Sequence, residues 1–195
     1  DPTGVDGQML PQTTALGIRV MSLNLLLEKE DLPVIWRGPL ISGAVKQFWT
    51  DVVWGDVDYM VIDLPPGTGD VSLTVLQSLP VDGILIVTTP QDLSQLIVKK
   101  SVNMARMLDV PILGMVQNMA YMKCPHCGEK IEPFGVKTGE DTAKAMDLEL
   151  LATLPIDPSI STLGDAGKIA DCECEICGVL ASIIETRFPL VSNSR

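Results

Sequence analysis

Val61-Ile62-Asp63-Leu64-Pro65-Pro66-Gly67-Thr68-Gly69-Asp70 is the stretch on which the reading of the fold turns. Tyr59-Met60-Val61-Ile62 reads as a buried strand that ends at Asp63. Open α/β sheets bind ligands at the C-terminal ends of their strands, so such a strand delivers one carboxylate to the ligand side. Pro65 and Pro66 stiffen the exit, and Gly67 and Gly69 let the backbone approach an anion closely or take a positive φ. Asp70 can cap the helix expected over Val71–Leu79. In nucleotide hydrolases an acid at this place holds Mg2+, usually through water. An ordinary strand–turn–helix corner with a capping aspartate fits the same pattern.

Working outward, short apolar runs alternate with helical spacing along the whole chain. Ile18–Leu23, Gly83–Thr88, Ile112–Val116 and Leu150–Leu154 read as further strands. Gly43–Val53, Glu140–Leu148 and Ile176–Thr186 read as helices. After Pro90, Leu93, Leu96, Ile97, Met104, Ala105 and Leu108 recur at helical spacing until Pro111. Continuous apolar strands separated by helices imply a mostly parallel sheet covered on both faces, hence a three-layer α/β domain. The expectation is one domain over 1–195, with a loop excursion at about 119–135. Trp36, Trp49 and Trp54 are expected to cover the sheet, and the nine methionines to pack the core.

Charge narrows the function classes. Fourteen basic against 25 acidic residues give a net charge of -11, with no run of Lys or Arg. Nucleic-acid and anionic-membrane partners both call for a basic face, so neither is expected. No apolar run approaches the ~20 residues of a membrane span, and the N-terminus lacks a signal-peptide pattern. The expected location is cytoplasmic.

The five cysteines form two tight groups, Cys124 with Cys127, and Cys172, Cys174 and Cys177. Odd, clustered cysteines fit metal binding better than a disulfide framework. In Lys123-Cys124-Pro125-His126-Cys127-Gly128, the C-x-x-C spacing closes a turn that points both sulfurs at one metal, and Gly128 relaxes the backbone. His126, in the middle of the knuckle, is expected to face solvent. Two thiolates are half a shell for a tetrahedral metal or a four-iron cluster. The remainder can come from another copy, from the second cysteine group, or from exogenous thiols. Cys172-Glu173-Cys174-Glu175-Ile176-Cys177 is either a second metal group or a helix start with incidental cysteines.

The wording DLPPGTGD resembles the Walker B and switch II segment of Mrp/ApbC-type ATPases, iron–sulfur carriers of the MinD/ParA group of deviant P-loop proteins. Trp36-Arg37-Gly38-Pro39, Trp54-Gly55-Asp56-Val57-Asp58-Tyr59, Val87-Thr88-Thr89-Pro90-Gln91, Pro111-Ile112-Leu113-Gly114 and Asn118-Met119 are similar to that family's landmarks, in its order. The resemblance covers about Gly17 to Gly167 and implies a P-loop NTPase-like fold. It implies that Asp63 takes the catalytic Mg2+ and water-positioning role, with Pro65, Gly67, Thr68, Gly69 and Asp70 at the nucleotide. Asn118 would recognise adenine, helped by Leu154-Pro155-Ile156-Asp157. Arg37 lies in a family motif without an assigned role. The resemblance further implies ATP and Mg2+, and a [4Fe–4S] cluster shared by Cys124 and Cys127 of two copies in a homodimer. Apo iron–sulfur proteins would be the recipients.

The family's Walker A loop is not among these residues. Gly164-Asp165-Ala166-Gly167-Lys168-Ile169 has two residues between its glycines and Ile after Lys, where a P-loop needs four and a Ser or Thr. The expectation is therefore an upstream segment that carries the loop and the first strand, with weak ATP binding and no hydrolysis by these residues alone. Two other classes compete. A non-catalytic scaffold would hold zinc or a cluster. A MinD/ParA-like positioning ATPase would want a basic tail, and the CPxC motif would have no role in it.

Overall fold

The computed structural model describes residues 8–27, 29, 38–135 and 138–190, and the chain divides into two compact units, Asp1–Val81 and Asp82–Arg195. Trp36 and Arg37 lie outside the described residues.

In the first unit, β1 (Gln12–Thr13) and β2 (Arg19–Val20) form an antiparallel hairpin in which Gln12 faces Val20 and Thr13 faces Arg19. The strand expected over Ile18–Leu23 is thus cut to two residues. Leu23–Leu26 turn instead into a 3-10 helix capped by the Ser22 hydroxyl. Helix α1 (Gly38–Thr50) begins earlier than its apolar spacing suggests. Helix α2 (Asp70–Ser78) packs on it, and the Thr74 hydroxyl donates to Ser42 Oγ at 2.8 Å. Ser72, Val75 and Leu76 are the buried residues of α2, at the i, i+3, i+4 spacing of one helical face. Trp54 donates its indole N–H to Phe48 O at 2.8 Å, and Trp49 is exposed, so these two tryptophans attend the end of α1 rather than cover a sheet.

Tyr59–Ile62 does not form the expected strand. All four residues are exposed, Val61 by 89%. An apolar run becomes a strand only when a neighbour takes its N–H and C=O groups, and no strand lies beside it among the described residues.

The second unit carries the parallel sheet. Strand β3 (Ile84–Thr88), β-branched at four of five positions, leads into α3 (Asp92–Met107) and then β4 (Ile112–Gln117). A short hairpin follows, β5 (Met122–Lys123) with β6 (Lys130–Ile131). Helix α4 (Gly139–Ala145) precedes β7 (Leu150–Thr153), and α5 (Pro158–Asp165) and α6 (Glu175–Arg187) close the chain. The order β3-β4-β7 is parallel throughout. The central strand β4 is buried on both faces: Met115 and Val116, which point to opposite sides, are 0% and 1% exposed.

Ile86, Met115, Val102 of α3, Ala143 of α4 and Met146, which caps the end of α4, form the core of one side. Arg106 locks α3 to the end of α4 through Met146 O at 2.8 Å. Helix α6 meets β7, and its Arg187 binds Leu113 O and, at 2.6 Å, the Glu149 carboxylate. The result is an α/β arrangement with helices on both sides of a parallel sheet. Among the methionines, Met115 and Met146 are core while Met107 and Met119 are exposed.

Candidate functional site

Two strand ends build the platform of the site. Past β4, Asn118 N–H donates to Thr88 O at 2.7 Å and so ties the exit of β4 to that of β3. The chain beyond β7 runs alongside. Leu154 N–H binds Gln117 O at 2.8 Å, Ala120 N–H binds Leu154 O at 3.0 Å, and Ile156 N–H binds Tyr121 O at 2.6 Å. Residues 118–121 and 154–156 are therefore stitched together at the C-terminal edge of the sheet, where open α/β sheets bind ligands. The structure brings Asn118 and Pro155 into this one edge. Asn118 accepts the Met119 N–H on its own Oδ1 at 2.8 Å, with Met119 at φ 54°. Asp157 caps α5, accepting the Ser159 N–H at 2.8 Å, and the Ser159 hydroxyl together with that N–H holds its carboxyl below the usual range.

From Tyr121 the chain enters the cysteine hairpin. Met122 faces Ile131 and Lys123 faces Lys130. Cys124 N–H continues the ladder to Glu129 O at 2.9 Å, and Gly128 N–H closes the turn on Cys124 O at 2.9 Å. Gly128 stands at φ +73°, a conformation in which a β-carbon is strained. The Cys124 sulfur is half-buried and meets the backbone N–H groups of Cys127 and His126 and the Cys127 thiol. These donors stabilise its thiolate and hold its pKa below the ordinary thiol value. Cys127 and His126 are exposed. Lys130 lies over the Tyr121 ring at 4.1 Å and ties the hairpin to the platform. Sequence reasoning overlooked Tyr121 and Lys130, although their places immediately outside the knuckle were a usable signal.

No group of three or more His, Cys, Asp or Glu side chains converges among the described residues. The knuckle therefore presents two sulfurs and no third candidate ligand among the described residues. In the second cysteine group, Cys174 and Cys177 are bonded to each other and Cys172 is free, so this form of the chain has no trithiolate.

Asp63 and its loop belong to the first unit. Asp63 is exposed, and Gly67 has the positive φ, +91°, that its turn requires. Ser72 Oγ donates to Pro65 O at 3.5 Å and anchors the loop on α2. The cap of α2 is Gly69 rather than Asp70. Asp70 is the first helical residue, and its carboxylate lies against Gly38 at the start of α1. Gly164 and Gly167 fall at the end of α5, with Gly167 at φ 66°, as expected for a helix C-terminus, and only a three-residue 3-10 helix (Ile169–Asp171) follows, too short for the helix that backs a phosphate loop.

Residues 1–186 match the family model described as ParA, NUBPL iron-transfer P-loop NTPase. The chain belongs to that family. Among curated relatives, the iron-sulfur cluster carrier protein of Methanocaldococcus jannaschii is 44% identical over 190 residues, covering 94% of this chain and 64% of its own length. The chain thus spans less than two thirds of that relative. A nucleotide-binding protein of Archaeoglobus fulgidus, solved in complex with ADP and with cobalt found by PIXE, superposes with a TM-score of 0.74 at 38% identity. That match covers 89% of this chain and 67% of the other. The Pyrococcus furiosus cell division ATPase MinD superposes at 0.51 with 22% identity, over 77% of this chain and 59% of the other, and shows the shared fold alone. The P-loop NTPase-like architecture expected from the motifs is therefore the one present. No helix among the described residues is long and apolar enough to cross a membrane.

Proposed function

We propose that this chain holds a [4Fe–4S] cluster as cargo between two copies and passes it to apo iron–sulfur proteins. The observation that carries the reading is the hairpin knuckle. Cys124 and Cys127 sit on a turn fixed by two backbone hydrogen bonds, the Cys124 thiolate is favoured, and no third ligand stands nearby among the described residues. A second copy completes four thiolates with the same two residues, and the exposure of Cys127 suits an interface. The naming of the relatives as cluster carriers supports the cargo. Zinc on the same knuckle is the alternative occupant.

Nucleotide use is proposed for the protein of full family length. There Asp63 holds Mg2+ through water, with Pro65 and Gly67 to Asp70 as the loop that responds to the phosphates. Asn118 reads the adenine edge beside Pro155. Asp157 supports that segment through its cap on α5.

Anaerobic reconstitution of the Cys124→Ala/Cys127→Ala variant tests the cargo site. The expected result is loss of the brown chromophore and of both iron and sulfide. Retention at wild-type stoichiometry would overturn the assignment, and zinc without sulfide in the wild type would favour the alternative. For the nucleotide, Asp63→Asn in the full-length protein is expected to lower ATP turnover by about 10² or more, the usual loss when a transition-state electrostatic contact is removed.

A further inference from the structure

We propose that Cys174 and Cys177 form a redox-active thiol–disulfide pair that exchanges with dithiols, a site separate from the cluster knuckle. The two residues flank the first turn of α6, and their α-carbons lie 5.2 Å apart, within the range a disulfide spans. As a staple the bond has little to do. It links residues only three apart, and disulfide stabilisation grows with the length of the loop closed. The turn is also held without it, because Cys177 N–H and Gly178 N–H both donate to Cys174 O, at 3.1 and 3.3 Å.

Its surroundings suit exchange instead. The two sulfurs differ in environment: Cys174 is half-buried at the N-cap and its Sγ accepts the Cys177 N–H at 3.2 Å, while Cys177 is exposed. A sulfur that receives a helix N-terminal N–H is stabilised as thiolate, and the better-stabilised thiolate is the better leaving group. Access is open. Cys177 is exposed, and a shallow, solvent-open surface runs along α6 from Glu175 and Gly178, which adjoin the two cysteines in sequence.

The chemistry follows from that asymmetry. One thiolate of an external dithiol attacks Cys177 Sγ, and the S–S bond breaks with its electron pair leaving on Cys174 Sγ. The second external thiolate then attacks the mixed disulfide and releases Cys177 as thiolate. The dithiol is oxidised to its disulfide by two electrons, and Cys174 and Cys177 take up the two protons as thiols. Cys172 stays outside the exchange as a free thiol.

The test equilibrates the intact, metal-free chain with anaerobic mixtures of reduced and oxidised dithiothreitol at neutral pH. Alkylation and peptide-resolved mass then report each cysteine. The expected result is a single two-thiol step in which Cys174 and Cys177 become alkylated together, with Cys172 alkylated at every ratio. In Cys177→Ser the step is lost and Cys174 is alkylated throughout. The proposal is overturned if Cys174 and Cys177 are alkylated even in fully oxidised mixtures. It is equally overturned if they stay blocked in the native chain under full reduction, or if the step pairs either of them with Cys172.

Discussion

The carboxylate of Asp70 lies against the α-carbon of Gly38, so closely that a β-carbon at position 38 would collide with Oδ2. One residue opens α1 and the other opens α2, so the contact sets how the two helix starts approach each other. An acid at this point also meets the partial positive charge of a helix N-terminus, which favours it there. The same aspartate closes the DLPPGTGD motif, so a residue read as part of a ligand loop also holds a packing contact.

Gly38→Ala is therefore expected to destabilise the chain by about 1 kcal/mol, the low end of the cost of overpacking, because the carboxylate can swing aside. In an Asp70→Ala background that cost should largely disappear. Urea unfolding of the two single variants, the double variant and the parent measures the coupling. Additive energies would show that the two residues do not meet.

Gly128 offers a cleaner case of backbone control. Its φ of +73° is costly for an L-residue, yet no atom lies within 4 Å of the position a β-carbon would take. Gly128→Ala thus adds about 1–2 kcal/mol of backbone strain and no clash. If that strain falls on the metal-bound form, metal retention by the knuckle drops by roughly tenfold. Gly128→Asn should recover part of the loss, since Asn tolerates this conformation better. A competition titration with a chelator reads both variants, and equal retention by Ala and Gly would remove the turn from the argument.

The Cys124 thiol gives a pH signature. Its pKa is lowered by the Cys127 N–H first, then the His126 N–H and the Cys127 thiol. A group with a depressed folded pKa contributes stability that is fully present above its unfolded pKa and lost as pH falls through the folded one. In the metal-free chain, the midpoint of Cys124 alkylation with pH should lie below that of the urea-unfolded chain. Cys127→Ala should raise it part of the way, since the thiol is removed and both N–H donors remain. Coincident midpoints in folded and unfolded chains would count against the favoured thiolate.

Assembly and cargo should be linked if four thiolates from two copies hold one cluster, because each then stabilises the other. Iron chelation is expected to shift the protein toward monomer at low micromolar concentration, and reconstitution to restore the dimer with one cluster per two chains. Native mass with an iron count reads this directly. A monomer with one cluster per chain would point to a shell closed within one copy.

What the sequence determined by itself is local. The knuckle Cys124-Pro125-His126-Cys127-Gly128 was legible because a C-x-x-C-G turn is fixed by bonds among its own residues, and the outward His126 follows from the same geometry. Helices α2, α3 and α4 and strands β3, β4 and β7 fall close to where apolar spacing put them, because their buried faces repeat with the period of the element. What only the tertiary structure decided depends on partners distant in sequence. Tyr59–Ile62 has the composition of a strand, but composition supplies no neighbouring backbone to bond. Residues 118–121 and 154–156 share an edge only because β4 and β7 pair in parallel, which brings Gln117 opposite Thr153. Asp70 could be read as a cap, since Asp before an apolar run commonly is one. It lies instead inside the helix, against Gly38, a contact that exists only once α1 has packed on α2. Spacing likewise placed Cys172, Cys174 and Cys177 in one group, but the start of α6 chooses which sulfurs meet. Cys174 at the N-cap and Cys177 in the first turn lie three residues apart across the start of that helix, and Cys172 lies before the cap.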